Sequence, residues 1–216
     1  MSALSQPQPA WISPREYLAL ERKAEYKSEY LRGEIFAMSG ASREHNLIAV
    51  NVGARLHTQF SGRFCEVYQG DMRVRVESSG LYTYPDVVAV CEEPQFEDDE
   101  VDTLLNPTLI VEVLSKSTEG YDRGAKFEHY RKLASLREYV LIAQDKPHVE
   151  HFIRQEGGLW LLWETGDLEV VVRLPAVRAE LTGAEIYEKV AFPVPDQAGS
   201  DQPEQGRAAD VTAPDE

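Results

Sequence analysis

A glutamate in the middle of an apolar strand constrains this chain more than any other feature. In Leu109-Ile110-Val111-Glu112-Val113-Leu114-Ser115 the side chains alternate, so Ile110, Glu112 and Leu114 share one face and Leu109, Val111 and Val113 the other. Both faces are apolar, which predicts a strand covered above and below by other layers of the fold. An ionised carboxylate is costly there unless something compensates its charge. Glu112 is either half of a buried ion pair, or near a strand end that reaches water, or it is a ligand for a hard divalent cation such as Mg²⁺, Mn²⁺ or Ca²⁺.

A second acid gives the cation reading its weight. Tyr84-Pro85-Asp86 leads into Val87-Val88-Ala89-Val90, another buried-strand run, and a proline at the first position of a strand removes no ladder bond. Pro-Asp alone is a common turn; its interest lies in the acid-bearing strand that follows. Ser115 to Gly120 reads as a loop. Tyr121-Asp122-Arg123-Gly124-Ala125-Lys126 then opens a helix with Asp122 as its N-cap. Asp122, Lys126 and Tyr130 fall on one helical face, which sets Lys126 near the mouth of the Glu112 strand. The alternative is a solvated lysine paired with Asp122. Two carboxylates and one ammonium are the minimum set for metal-dependent phosphodiester hydrolysis.

These pieces together, Pro85-Asp86, Glu112 within LIVEVLS, and YDRGAKFEHY, resemble the Uma-two family of restriction-type endonucleases in the PD-(D/E)XK nuclease superfamily. The resemblance runs from about Pro14 to Val190. It implies a restriction-endonuclease-like α/β fold, with Asp86 and Glu112 binding Mg²⁺ or Mn²⁺ alongside the Val113 backbone carbonyl. It also implies DNA, rather than RNA, as substrate. The superfamily pattern has a lysine two residues after the second acid, and Leu114 stands there instead. Family members of this type resemble nucleases whose lysine has moved to the next helix, which nominates Lys126. Lys116, in the loop, is the competitor; a helical position is the better fixed of the two. The rival function is a catalytically inactive relative that serves as a binding or assembly module.

Charge bears on that choice. The formal net charge is −15, whereas nucleic-acid-binding domains are usually basic. From Ala191 onward the chain holds six acids and one base, so the remainder still carries −10. That balance argues against tight non-specific duplex binding, but leaves room for a local basic groove. Arg73 and Arg75 share one face of the predicted strand Met72 to Val76 and are candidates for phosphate contact, against a merely solvated face.

Elsewhere, Ser13-Pro14-Arg15-Glu16 reads as a helix start, and Glu29 to Met38 as a hairpin turning at Arg32-Gly33. Glu34, on that hairpin, is a possible accessory residue. Ser39 to His45 opens a second helix; the resemblance gives His45 a possible site role, and imidazole titrates near neutrality. Val149 to Ile153, Leu159 to Trp163 and Leu168 to Leu174 predict an added β-meander, able to serve a homodimer. His148 and His151 face opposite sides of its first strand, which argues against a metal site there. Leu181 to Tyr187 reads as a closing helix. Cys65 and Cys91 have no metal-ligand spacing and read as small buried thiols of a reducing compartment. No signal peptide and no membrane span are expected, so a cytoplasmic protein is the default. The predicted organisation is a flexible lead over residues 1–12, one nuclease-like domain over 13–190, with a mixed sheet between the His45 and Lys126 helices, and a disordered acidic tail over 191–216.

Overall fold

Local signals act first. Ser13 caps helix α1 (Pro14–Glu21): its hydroxyl accepts the Glu16 N–H, and the Glu16 carboxylate accepts the Ser13 N–H at 2.9 Å. The hairpin β1 (Ser28–Leu31) and β2 (Glu34–Ala37) turns at Arg32 and Gly33, both with positive φ, 48° and 102°. Two-residue turns of this hand match the twist of paired strands. Ser42 caps α2 (Arg43–Phe60) through the His45 N–H. The computed structural model describes residues 11–192; the expected flexible lead and acidic tail lie almost wholly outside them.

The remaining strands are β3 (Glu66–Gln69), β4 (Arg73–Val76), β5 (Leu81–Thr83), β6 (Val87–Val90), β7 (Thr103–Leu104), β8 (Leu109–Leu114), β9 (Glu138–Ala143), β10 (Val149–Arg154), β11 (Trp160–Thr165), β12 (Val171–Leu174) and β13 (Ala179–Thr182). They form a six-stranded sheet in the order β11-β10-β9-β8-β6-β3, a five-stranded sheet in the order β2-β1-β5-β4-β7, and a β12-β13 ribbon. The first two sheets are mixed, with β8 parallel to β9 and β4 parallel to β7. The chain is thus a mixed α/β fold with helices flanking its sheets. β3 and β4 part into different sheets at Gly70, whose φ is 58° and whose N–H donates to the Asp86 carbonyl at 3.1 Å.

The alternation read in the Glu112 strand holds in three dimensions. Leu109, Val111 and Val113 pack with Ile48, Val52 and Leu56 of α2. Ile110 and Leu114, on Glu112's face, pack with Phe127 and Tyr130 of the Lys126 helix and with Val74, Val76 and Leu81 of the five-stranded sheet. All six β8 residues are buried.

Four expectations change. The Lys126 helix, residues 119–130, begins one turn earlier than its sequence suggests: Thr118 is the cap residue, and Asp122 lies inside the helix, at the start of a π-turn (Asp122–Lys126). The meander ends at β11, because β12 pairs with β13 instead. The closing helix shrinks to Gly183–Ile186, since Leu181 is held opposite Val172 in that ribbon and Thr182 forms the capping box with Glu185. Cys65 and Cys91 form a disulfide. They extend the antiparallel β3–β6 pairing by one position beyond Glu66 and Val90, which sets them side by side. The bond withdraws the support that free thiols lent to a cytoplasmic location. Among the described residues no helix is long and apolar enough to cross a membrane.

Candidate active site

Glu112 is buried, 3 % exposed, and it is not alone. Its Oε1 lies 2.9 Å from the Lys126 Nζ and accepts a hydrogen bond from the Tyr130 hydroxyl at 2.8 Å. Oε2 has no hydrogen-bond partner among the described residues. Lys126, 5 % exposed, also lies 3.3 Å from Glu29 and 3.4 Å from Asp122. An ammonium has three N–H donors, and here three carboxylates face it. The π-turn carries both Asp122 and Lys126 inward. Such turns recur at functional sites. The Asp122 carbonyl is satisfied by the Tyr139 hydroxyl at 3.0 Å.

Asp86, just ahead of β6, is clamped from two sides. Oδ1 is 2.8 Å from His45 Nε2, and Oδ2 accepts the Val113 N–H at 2.7 Å. An ionised carboxylate only accepts, so Nε2 carries the His45 proton and Nδ1 is left as an acceptor when the ring is neutral. The Val113 N–H points to the strand edge where Asp86 sits, and the carbonyl of the same strand residue projects from that edge too. Each Asp86 oxygen accepts one hydrogen bond and keeps a second lone pair.

Asp86, Glu112, Val113, Lys126 and His45 all line one cleft of about 970 Å³, with Glu29, Tyr121 and Asp122. The other sequence candidates stand elsewhere. Glu34 lies exposed on β2, outside the cleft. Lys116 lines a neighbouring cavity instead. Arg73 is no phosphate contact: it is 4 % exposed, its guanidinium pairs with Asp102, and it donates to the Tyr84 hydroxyl at 2.8 Å. Arg75 pairs with Glu97 at 2.9 Å. Both arginines hold the five-stranded sheet together. His148 and His151 lie apart as their spacing predicts, His151 buried 3.8 Å from Glu138 and His148 near Glu150 and Glu164.

Glu29 was not among the sequence candidates. It reaches the site because β1 pairs with β5, which sets its carboxylate against the Thr83 hydroxyl and Lys126. The hairpin offers two acids, Glu29 and Glu34. The hairpin pattern alone does not say which arm meets the rest of the sheet.

Three carboxylates around one ammonium, with Asp86 lining the same cleft, leave a deficit of positive charge. Burial alone would push Lys126 down, but Glu112, Glu29 and Asp122 hold it well above its ordinary value, so it stays charged. Burial pushes Glu112 up, to about 8, against the pull of Lys126 and with a further push from Asp86. Burial likewise raises Asp122. An ammonium next to Glu112 would be expected to lower it; burial and the neighbouring acids win because one charge is shared among several carboxylates. The cluster is short of one proton or one cation.

A divalent cation fits that deficit. Among the described residues no group of three or more His, Cys, Asp or Glu side chains stands ready to hold a metal ion. Mg²⁺ needs less, since it commonly takes one or two carboxylates and keeps several waters. Asp86, Glu112 and the Val113 carbonyl supply hard oxygen donors with unspent lone pairs.

The sequence model of the Uma2 family, described as "Putative restriction endonuclease", matches residues 14–186. The chain belongs to the Uma2 family. Two uncharacterised Synechocystis proteins are similar to it. One is 40 % identical over 153 residues, covering 71 % of this chain and 86 % of the relative. The other is 35 % identical over 151 residues, covering 70 % and 78 %. The Uma2 fold also resembles the crystal structure of an Anabaena variabilis protein described as "a putative nuclease", with a TM-score of 0.67. That match has 18 % identity and covers 82 % of this chain and 97 % of the other.

The charge deficit has a measurable consequence. Glu112 and Glu138 are both raised by burial, to about 8 and about 7, above an unfolded value of 4.5. A raised acid contributes stability that is complete below the unfolded value and is lost as pH climbs through the folded one. His151, lowered to about 4 by burial, works oppositely, but only below its ordinary 6.5. Between pH 6.5 and 8.5 the carboxylates therefore dominate. The metal-free protein is expected to lose roughly 1 kcal/mol per pH unit there. Mn²⁺ should raise the thermal midpoint more at pH 8.5 than at pH 6.5, because it replaces a proton the site is losing. A midpoint independent of pH, with or without Mn²⁺, would contradict a buried, undercompensated cluster.

Proposed function

We propose that this protein is a metal-dependent endonuclease hydrolysing phosphodiester bonds of DNA through Asp86, Glu112 and Lys126, with Mg²⁺ or Mn²⁺ as cofactor. One observation carries the reading. Two carboxylates with unspent lone pairs, each oriented by its own hydrogen bonds, line one cleft beside a buried lysine. Membership of the Uma2 family supports the substrate class. Residues 13–190 would form the catalytic unit.

Asp86 and Glu112 would hold the cation with the Val113 carbonyl. A divalent cation bound there supplies Lewis acidity and a bound water that is easily deprotonated. Val113 N–H and His45 fix the Asp86 carboxylate, and Tyr130 and Lys126 fix Glu112, as outer partners do for metal ligands generally. Lys126 contributes a permanent positive charge at the cleft wall, and on substrate binding would exchange one carboxylate for a phosphate oxygen or the attacking water. With its Nε2–H directed at Asp86, a neutral His45 ring would present Nδ1 as its acceptor. Cleavage of supercoiled or single-stranded DNA in Mg²⁺ or Mn²⁺, abolished by EDTA, is the expected activity. Absence of cleavage with either ion, by protein that binds the ion, would remove the hydrolase.

A second reading, an inactive nuclease-fold binding module, is favoured by one fact: three carboxylates face the three N–H donors of Lys126. It predicts metal and DNA binding without cleavage.

We also propose a homodimer along the outer edge of β11. Leu161, Leu162 and Trp163 are exposed on a strand with a neighbour on one side only among the described strands. An unguarded edge of this kind is complementary to a second copy of itself in antiparallel pairing. Leu162→Lys is expected to give monomers in sedimentation equilibrium where the wild type gives dimers; a monomeric wild type would remove the dimer, and a dimeric variant would remove this edge as its seam.

A further inference from the structure

The cleft has a neighbour. A second cavity, of about 750 Å³, shares Ser42, Ser115, Ser117 and Gln144 with it, so the two lie side by side with a common wall. That wall carries hydroxyls. Ser115 Oγ lies 3.0 Å from Ser117 Oγ and 2.9 Å from Thr118 Oγ1. The second cavity lies at the ends of β8 and β9, which are parallel, and Lys116 and Lys146 come from the loops that follow those two strands. Ligands of sheets with parallel strands tend to sit outside such carboxyl ends.

The charges in this cavity are unlike those of the cleft. Lys116 and Lys146 are exposed, and neither has a carboxylate within ion-pair distance among the described residues. Arg123, in the same wall, is already tied to Glu119 and Glu150. Of the acids that line the cavity, Glu119 is paired with Arg123 and Glu44 with Arg43, which leaves Asp145 as the counterweight. Two uncommitted ammonium groups therefore flank the cleft of a chain whose formal charge is −15.

We propose that this second cavity is a subsite for the sugar-phosphate backbone of the substrate, in which Lys116 and Lys146 contact phosphates adjacent to the scissile one. The proposal rests on the nuclease reading. An exposed ammonium is a point charge suited to phosphate, and such contacts position a strand without reading its sequence. It assigns Lys116 a place in substrate positioning rather than in the catalytic group, where Lys126 stands. It also answers the acidity of the chain: the cleft itself repels DNA, and the approach charge comes from next door.

The test is binding of a fluorescein-labelled 20-mer, single-stranded and duplex, by anisotropy in Ca²⁺ over a range of salt. The doubly substituted Lys116→Gln/Lys146→Gln protein is expected to bind about ten-fold more weakly at low salt. Its log-log salt slope on duplex should fall by roughly 2, one phosphate contact per lysine. Lys116→Arg/Lys146→Arg should keep both the affinity and the slope. Lys23→Gln/Lys132→Gln, two lysines outside both cavities, should match the wild type. Equal weakening in that control, or none in the Lys116/Lys146 variant, overturns the subsite. Wild type that binds neither oligonucleotide overturns the subsite and the nuclease reading together. Wild type that binds through these lysines yet never cleaves DNA keeps the subsite and sinks the hydrolase.

Discussion

Lys126→Met is expected to destabilise the protein by about 3–5 kcal/mol and to abolish hydrolysis. The size follows from what the lysine leaves behind. Its ammonium, buried with the side chain, faces Glu112, Glu29 and Asp122 at 2.9, 3.3 and 3.4 Å. Removing one partner of a buried ion pair costs far more than the pair contributes, because the stranded charge stays buried. Methionine roughly preserves the volume, so packing loss is small. Urea unfolding at pH 9, above the value of about 8 to which burial raises Glu112, reads the loss. Repeating it at pH 5.5 separates charge from packing: the stranded carboxylates then take up protons, and most of the difference should disappear. A loss below about 1 kcal/mol at both pH values would mean that Lys126 is solvated, the ordinary fate of a helix lysine.

Glu112→Gln should do the opposite to the fold and the same to the chemistry. Glutamine keeps the shape and can accept the Tyr130 and Lys126 hydrogen bonds, while removing one of the crowded negative charges. Metal-free stability at pH 8 should hold or rise. Hydrolysis should fall on the order of 10³-fold, the scale set by loss of an electrostatic group at a reacting centre. The pair of variants distinguishes machinery from scaffold, because an enzyme lost merely through unfolding would lose activity in proportion to stability. Glu112→Gln that retains wild-type cleavage would show that the acid serves the fold alone.

Much of this architecture is legible in the sequence because the signals are local. The capping residues Ser13 and Ser42, the Arg32-Gly33 turn and the apolar alternation around Glu112 each act within a few residues. The juxtaposition of Asp86 with Glu112 is legible for a related reason. Both acids interrupt or border runs that must be buried, and adjacent antiparallel strands bring such runs together. What was hidden depended on distant partners. Glu29 enters the site only through the pairing of Tyr30 with Tyr82. Arg73 and Arg75 look like a basic stripe until Asp102 and Glu97 are folded against them. The extra turn Glu119–Tyr121 that puts Asp122 inside the helix, and the π-turn that follows it, have no period a sequence pattern could detect. The Cys65–Cys91 bond follows from the β3–β6 register, which is set by the whole sheet.

Calorimetric titration of Mn²⁺ at pH 7.5 into the wild type, Asp86→Asn and Glu112→Gln tests the central claim most directly, because it needs no knowledge of the substrate. One site per chain in the wild type, weakened by about ten-fold or more in each variant, is the result the two-carboxylate centre predicts. A wild type that takes up no divalent cation, or variants that bind it as tightly as the wild type, would contradict it.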